Sequence, residues 1–337
     1  MKNESKSTWP GKTILEEAGF QAMQFELYND DNAACCRTLK DLCFTWLQRC
    51  YETVKKSTYC GYNYCINSHV LPFFGEILLE DMDGTRILAF VGKLQQKKLA
   101  DTTVYSVLAT FKLALKYGIR IKLVDSRLLE YCSVSCRRAE SKILTLQESN
   151  QMKEYLLEEN TVFAIAILLC RGTGIRLGEL CGLKWEDIDF STNTFRIRRT
   201  ISRITNPHVS ENQPKTVIYI RAPKSNTSAR EIPIPQYLVK PLKGLRKDAE
   251  CYLLTGRLTC TEPRNVQKKF KTILKHCAMK DYNFHAMRHG FATACLENGV
   301  DCKTVSSILG HASIRTTMEF YVHTSMRQKA NCINSIE

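Results

Sequence analysis

The sequence lacks the features that mark metal-binding, membrane-spanning, secreted or nucleotide-hydrolysing proteins. None of its 16 cysteines form a CxxC pair, so the paired ligands of common zinc sites are missing. The apolar run Val162–Cys170 is too short to cross a bilayer, and the first residues, MKNESKSTWPGK, have no apolar signal-peptide core. The sequence contains no GxxxxGK[ST] loop for a nucleotide. These absences predict a cytoplasmic protein with no metal, no cofactor and no membrane partner.

The cysteines need another explanation, because disulfides are rare inside cells. Most of them stand alone in apolar or helical surroundings, which is typical of reduced, small hydrophobic residues. A metal site built on Cys132, Cys136 and a histidine is the alternative that remains, and the missing ligand pairs disfavour it.

The chain carries a large excess of positive charge. Its 48 Lys and Arg residues outnumber its 34 Asp and Glu residues, for a net charge of +14. Such an excess favours a polyanionic partner, because neutralising phosphates releases condensed counterions. Charge that serves solubility, or an anionic membrane surface, would account for the same composition.

Hydrophobic spacing predicts a mainly α-helical chain with a small β-sheet, in two domains. The patterns indicate a helix from about Arg37 and further helices at 58–71, 85–94 and 101–117, with Asp101 as an N-cap and Gly118 as a stop. We therefore assign residues 1–32 to an extension of unclear role, 33–123 to a helical domain, 124–143 to a polar linker and 144–337 to a second domain.

The second domain begins with a helix and contains the strands. Thr145 and Glu148 have the spacing of a capping box. Alternation around Phe195 and Ile197 predicts one strand, residues 216–221 predict another, and residues 231–234 predict a return strand that completes a hairpin.

Four groups of residues could carry chemistry. Arg176 lies between two glycines in TGIRLGEL, with Glu179 three residues later to hold its guanidinium; a structural Arg–Glu pair is the alternative. In HAMRH, helical spacing brings His285, Arg288 and His289 to one face, and the arginine favours an anion over a metal.

The other two groups are a histidine with a tyrosine, and a lysine. His311 follows a glycine, and Ser313 can cap a helix that leads to Tyr321. Lys224 lies at the tip of the predicted hairpin, where a solvated turn lysine is the ordinary interpretation. Each group is weak evidence of a catalytic function by itself, so the functional interpretation depends on their combination.

The type and the order of these motifs along the chain resemble those of the tyrosine recombinase (phage integrase) family. The matching segments are TGIRLGEL, APKSNTSAREIPIP, HAMRHGFAT and LGHASIRTTMEFY. The resemblance covers the whole second domain, and the first domain resembles the family's core-binding domain less specifically. It implies a mixed α+β catalytic domain beside a helical DNA-binding domain. The chain departs from the family at Met287 and Gly290, where Leu and Thr are common.

The resemblance implies a site-specific recombinase that cleaves and rejoins DNA through a 3′-phosphotyrosine bond. Tyr321 would be the nucleophile, Lys224 would protonate the leaving 5′-oxygen, and supporting roles would fall to Glu179 and His289. The phosphate would be bound by the remaining residues: Arg176, His285, Arg288 and His311. The implied partners are double-stranded DNA, three further protomers in a homotetramer and an accessory excision or DNA-bending protein. The implied location is the nucleoid.

Several alternatives stay open at this point. A type IB topoisomerase shares the tyrosine chemistry but rejoins the same strand. A mobile-element integrase, favoured by the extra N-terminal stretch and the cysteine content, competes with a host chromosome-dimer resolvase. A catalytically inactive DNA-binding regulator would be expected to have lost at least one of the six catalytic candidates, and the sequence retains them all.

Overall fold

The computed structural model describes residues 14–16, 36–133, 143–206, 214–222, 229–311, 313–318 and 333. The chain forms two compact units, the first made mostly of residues before 141 and the second mostly of residues after it. Most described residues are helical, and the strands are short, so the predicted fold class is confirmed. The described residues include no helix long and apolar enough to cross a membrane.

The described part of the first unit contains five α-helices. They are α1 (Leu39–Thr53), α2 (Lys56–Cys65), α3 (Leu71–Phe74), α4 (Gly84–Gln96) and α5 (Asp101–Arg120), and a π-helical turn, Ile66–Val70, joins α2 to α3. Thr38 and Asp41 form a capping box at the start of α1. The core contains a cluster of aromatic rings in which Phe74, Phe90 and Phe111 lie with centroids 5.0–5.7 Å apart.

Two predictions about α5 are wrong. Ala100 is the N-cap, with extended backbone, and Asp101 is the first helical residue. The helix also continues through Gly118 to Arg120. A Cβ at Gly118 would lie 2.6 Å from Val124 Cγ2 and 2.9 Å from Leu42 Cδ2, so this glycine permits close packing and does not end the helix.

The segment after α5 packs against the first unit. Ser126–Leu129 forms a 3-10 turn, and Leu128 and Cys132 are buried in that unit's core. Part of the polar stretch that we assigned to a linker is therefore ordered on the first unit, while the domain boundaries themselves stay predictions. The described cysteines are free thiols and mostly buried, and burial raises the pKa of Cys43 to about 12.

The second unit surrounds a central apolar helix. Its helices are α6 (Leu146–Glu159), α7 (Val162–Thr173), α8 (Leu177–Gly182), α9 (Gln236–Gly244), α10 (Pro263–His276), α11 (His285–Glu297), α12 (Cys302–Leu309) and α13 (Ile314–Met318). The predicted capping box of Thr145 and Glu148 opens α6 and is confirmed. Every residue of α7 from Ala164 to Cys170 is buried, which makes α7 the middle of the core.

Where the chain is described, its strands form two three-stranded sheets. They are β1 (Ile14–Glu16), β2 (Ile188–Asp189), β3 (Thr194–Arg196), β4 (Thr200–Thr205), β5 (Thr216–Arg221) and β6 (Glu231–Pro233), in the orders β2-β3-β6 and β1-β5-β4. β6 pairs antiparallel with β3, with Ile232 opposite Phe195. β1 pairs parallel with β5, although the sequence around it carries no strand pattern.

The predicted hairpin of β5 with β6 is therefore wrong. β5 buries three consecutive residues, Val217, Ile218 and Tyr219, and as a central strand it has a neighbour on each side. β6 instead places buried Ile232 beside Phe195 of the other sheet. Lys224 was predicted at the hairpin tip, and it lies outside the described residues.

Candidate functional site

The turn between α7 and α8 positions the first arginine of the site. Gly174 ends α7 with a φ of +64°, a left-handed conformation that favours glycine. A Cβ there would also lie 2.6 Å from Leu309 Cδ2 and 2.7 Å from Phe291 Cδ1. Glycine thus serves both the backbone turn and the close approach of α11 and α12, and Arg176 follows as the N-cap of α8.

Arg176 is fixed by hydrogen bonds to Glu179 and to the end of α12. Its backbone N–H donates to Glu179 Oε2 at 2.9 Å, and its Nη1 donates to Oε1 at 2.8 Å. Its Nη2 donates to the carbonyl of Gly310 at 2.9 Å. The side chain is about a third exposed, at 36%, so a ligand can still reach it. The predicted contact of Glu179 with Arg176 is confirmed.

Glu179 has a second partner, Arg230, which our sequence analysis missed. Nη1 and Nη2 of Arg230 donate to the two carboxylate oxygens at 3.2 and 3.0 Å, and its Nε donates to the carbonyl of Ile308. Burial tends to raise the pKa of Glu179, but the hydrogen bonds and charges of Arg230 and Arg176 lower it overall. Arg230 lies inside the segment APKSNTSAREIPIP, but no local pattern marks it as a partner of Glu179.

Arg288 reaches the same turn from α11. Its Nη1 donates to the carbonyl of Gly174 at 2.8 Å, and its Nη2 donates to that of Leu309 at 2.9 Å. Only 2% of the residue is exposed. Burial, followed by the nearby charge of Arg176, lowers the pKa of Arg288 to about 9, so it remains a cation at neutral pH.

Three arginines therefore bind three consecutive carbonyls at the end of α12. Arg230 binds the carbonyl of residue 308, Arg288 that of 309 and Arg176 that of 310. The carbonyl end of a helix carries partial negative charge and has unsatisfied acceptors, which suits cationic donors. The turn that presents His311 is thus held from three separate elements.

Two of the predicted histidines contact each other edge to face on α11. The ring centroids of His285 and His289 lie 4.6 Å apart at 84°. Desolvation and then the charges of His289, Arg288 and Arg176 lower the pKa of His285 to about 4, although the residue as a whole is exposed. Both imidazoles are neutral at pH 7, because desolvation also lowers the pKa of His289.

His311 lies at the other side of the arginine cluster. Its Nδ1 is 2.8 Å from the hydroxyl of Thr317 on α13, a second residue that our sequence analysis missed. Desolvation, followed by the charges of neighbouring groups, lowers the pKa of His311 to about 4. The hydroxyl of Ser313 accepts a hydrogen bond from the backbone N–H of Arg315, as expected of a cap for α13.

The structure therefore brings together Arg176, Glu179, Arg288 and His311, with His285 and His289 on the same helix as Arg288. Lys224 and Tyr321 lie outside the described residues, so their places in the site stay predictions. The parts of the chain that the structure describes contain no cluster of three or more His, Cys, Asp or Glu arranged for a metal ion. Three arginines, Arg176, Arg230 and Arg288, surround the single buried carboxylate of Glu179. The resulting excess of positive charge suits an anionic ligand.

Comparison with known proteins covers both units. Residues 142–328 match the phage integrase family, and residues 38–95 match the phage integrase N-terminal SAM-like domain. A relative from Caldanaerobacter subterraneus subsp. tengcongensis, named tyrosine recombinase XerC-like, is 31% identical over an alignment 333 positions long, which covers 89% of this chain and 82% of the relative.

Two solved structures share the fold. The integrase of transposon Tn1549, in complex with a circular intermediate DNA, aligns with a TM-score of 0.74 at 19% identity, over 90% of this chain and all of that one. A lambda integrase tetramer bound to a Holliday junction aligns with a TM-score of 0.62 at 17% identity, over 87% of this chain and 81% of that one. From the family match and the relative at 31% identity, the chain belongs to the phage integrase family and is a site-specific tyrosine recombinase.

Proposed function

We propose that the arginine cluster binds the DNA phosphate that is cleaved, with Arg176 and Arg288 as its principal donors. The observation that carries this proposal is their convergence on the carbonyls of residues 309 and 310, immediately before His311. Two guanidiniums held this rigidly need no reorganisation when charge develops on the non-bridging oxygens. Such preorganised donors are typically worth a factor of roughly 10²–10³ in rate each.

We propose Tyr321 as the nucleophile. Its phenolic oxygen would attack phosphorus, forming the Tyr321 O–P bond as the P–O5′ bond breaks and leaving a 3′-phosphotyrosine. A tyrosine hydroxyl has a pKa near ~10 and must lose its proton to react at neutral pH. His285 is the candidate acceptor of that proton, since its ring is neutral and the residue is exposed. Lys224 would supply a proton to the departing 5′-oxygen.

In the second half of the reaction the steps run in reverse with a new strand. The 5′-hydroxyl of a partner strand attacks the phosphotyrosine, the Tyr321 O–P bond breaks, and the proton returns to the tyrosine. The covalent intermediate conserves the energy of the original phosphodiester, so the scheme requires no nucleotide hydrolysis. Glu179 and Arg230 contribute by holding Arg176 and the end of α12.

The substrate that we propose is double-stranded DNA at the ends of a mobile element, which the protein would integrate or excise as a homotetramer. The Tn1549 integrase and the lambda tetramer motivate this proposal, since they were solved with a circular intermediate DNA and a Holliday junction. The high positive charge of the chain agrees with a DNA partner. We also propose that the protein acts with an accessory excision or DNA-bending protein and that it is located in the nucleoid. A Xer-type host resolvase is the second candidate, because the relative at 31% identity is named XerC-like.

The test is the trapping of a covalent adduct. Nicked duplexes carrying the ends of the element around the gene are incubated with protein, and the products are separated on denaturing gels. We expect a protein–DNA adduct from the wild type and from Tyr105→Phe, a matched control at an exposed tyrosine of the first unit. We expect none from Tyr321→Phe. An adduct that survives Tyr321→Phe but is lost with another tyrosine would overturn the assignment of the nucleophile.

The phosphate site is tested with the same duplexes. Arg176→Lys and Arg288→Lys keep the positive charge but lose the planar fork of donors. We expect both to bind the duplex with nearly unchanged affinity and to form adduct on the order of 10² times more slowly. Adduct formation at the wild-type rate by both variants would show that the phosphate binds elsewhere.

A further inference from the structure

The contact between His311 and Thr317 links the candidate phosphate site to the helix that precedes the nucleophile. Nδ1 of His311 and Oγ1 of Thr317 are 2.8 Å apart. Thr317 is completely buried, with 0% exposure, on α13 and four residues before Tyr321 in the sequence. One hydrogen bond therefore joins the turn held by the three arginines to α13.

The surroundings of Thr317 indicate which group donates. Among the described residues, the hydroxyl has no second hydrogen-bond partner. A buried hydroxyl whose hydrogen has no acceptor lowers the stability of the folded protein by about 1–3 kcal/mol. If Nδ1 of His311 carried the proton, the hydroxyl hydrogen would have no acceptor in the described structure. If Nδ1 accepts, one hydrogen bond gives the hydroxyl hydrogen an acceptor and Nδ1 a donor.

The charge state of His311 makes this direction consequential. Desolvation, then Arg288, Arg176, Arg230 and His285, lower its pKa to about 4. These groups face the ring from α11, from the start of α8 and from the segment before β6. A neutral imidazole has one N–H, so a ring that accepts at Nδ1 must carry its proton on Nε2.

We propose that Thr317 is a positioning residue that donates to Nδ1 of His311 and so fixes the Nε2–H tautomer, which presents an N–H donor to the DNA phosphate. This inference deepens the proposed function and rests on it. The same hydrogen bond holds α13 against the ring, so one contact positions both α13 and the phosphate donor. Thr317 does not itself touch the substrate in this scheme.

Two variants of Thr317 separate its hydroxyl from its volume. Thr317→Val has nearly the same shape but cannot donate, and Thr317→Ser keeps the donor. The first measurement is made on the full chain without DNA. Nitrogen-15 NMR of labelled histidine reports which ring nitrogen is protonated, and His311→Gln assigns the His311 signals by removing them.

The second measurement is single-turnover adduct formation at saturating nicked duplex, together with the Kd for that duplex and the melting temperature of each variant. A role in folding alone would lower the melting temperature or the affinity. A positioning role lowers the maximal rate of Thr317→Val while its Kd and its melting temperature stay close to those of the wild type and of Thr317→Ser.

We expect the wild type to carry the His311 proton on Nε2, with a hydrogen-bonded Nδ1. Thr317→Val should shift the Nδ1 signal to that of a nitrogen without a donor and slow adduct formation by about tenfold or more, while Thr317→Ser restores both. A proton on Nδ1 in the wild type, or a Thr317→Val rate within twofold of the wild type, would overturn the inference. If the wild type forms no adduct on any element end, the proposed function fails, and the NMR result still decides the direction of the hydrogen bond.

Discussion

Replacement of Arg230 by Met is expected to destabilise the second unit. Glu179 is 4% exposed and the side chain of Arg230 is 7% exposed, so the pair lies almost entirely away from water. Breaking a buried pair by removing one partner typically costs about 3–5 kcal/mol. Because Arg176 remains beside the carboxylate at 2.8 Å, we expect the lower end, about 3 kcal/mol. For a unit of this size the melting temperature should fall by roughly 6–12 °C.

The double variant Glu179→Gln, Arg230→Met tests the cause of that loss. If the cost comes from a buried carboxylate left without its main partner, removal of its charge should recover part of the stability. The double variant should then melt at a higher temperature than Arg230→Met alone. Scanning calorimetry suits the measurement, because the two units can unfold as separate transitions and only the second should move.

The pH dependence gives the same reasoning an independent check. The folded pKa of Glu179 lies below its ordinary value of 4.5, so its contribution to stability is present above that pH and is lost as the pH falls. The gap in melting temperature between the wild type and Arg230→Met should therefore narrow in acid. A gap under 2 °C at pH 7, or a double variant less stable than the single one, would refute the proposed role of the pair.

Two further predictions concern stability. The folded pKa of His311 is about 4 against an ordinary 6.5, so its contribution is present above pH 6.5 and is lost as the pH falls toward 4. The melting temperature of His311→Gln should consequently depend less on pH over that range than the melting temperature of the wild type does. Equal slopes of melting temperature against pH for the two proteins would contradict the lowered pKa of His311. Gly118→Ala should cost about 1–3 kcal/mol, since its Cβ would meet Val124 and Leu42. Gly92→Ala, where nothing lies within 4 Å, is the control, and chemical denaturation should show it unchanged or stabilised.

The sequence was sufficient for features that depend on neighbouring residues. The capping box of Thr145 and Glu148, the strand at residues 216–221 and the helix that begins near Arg37 are local patterns, and all three are confirmed. The pairing of β5 with β6 was wrong because strand partners depend on burial across the sheet, which nearness in the chain does not reveal. Gly118 was misjudged for the same reason, since its neighbours come from α1 and from the segment after α5.

The candidate site was predictable in its residues but not in its connections. The order of the motifs indicated Arg176, Arg288 and His311, and the structure places all three at the end of α12. Arg230 escaped notice because its partners, Glu179 and the carbonyl of Ile308, are distant in sequence. Thr317 escaped notice because side-chain type alone does not reveal its contact with His311, six residues earlier. The motifs therefore indicated which of these residues lie together, while the groups that orient them required coordinates.

The burial of Arg288 connects stability with the proposed reaction. This guanidinium donates to two carbonyls and, among the described residues, forms no ion pair with a carboxylate. Carbonyl dipoles at a helix end offset only part of the cost of burying a cation, which amounts to several kcal/mol per ion. Burial, followed by the charge of Arg176, lowers its pKa to about 9, the direction expected of a cation whose burial is only partly compensated. A phosphate bound here would supply the missing negative charge, and the charge that develops on it during cleavage would be stabilised still more. In the proposed reaction, burial of this arginine is costly in the free protein, and binding of the phosphate would relieve that cost.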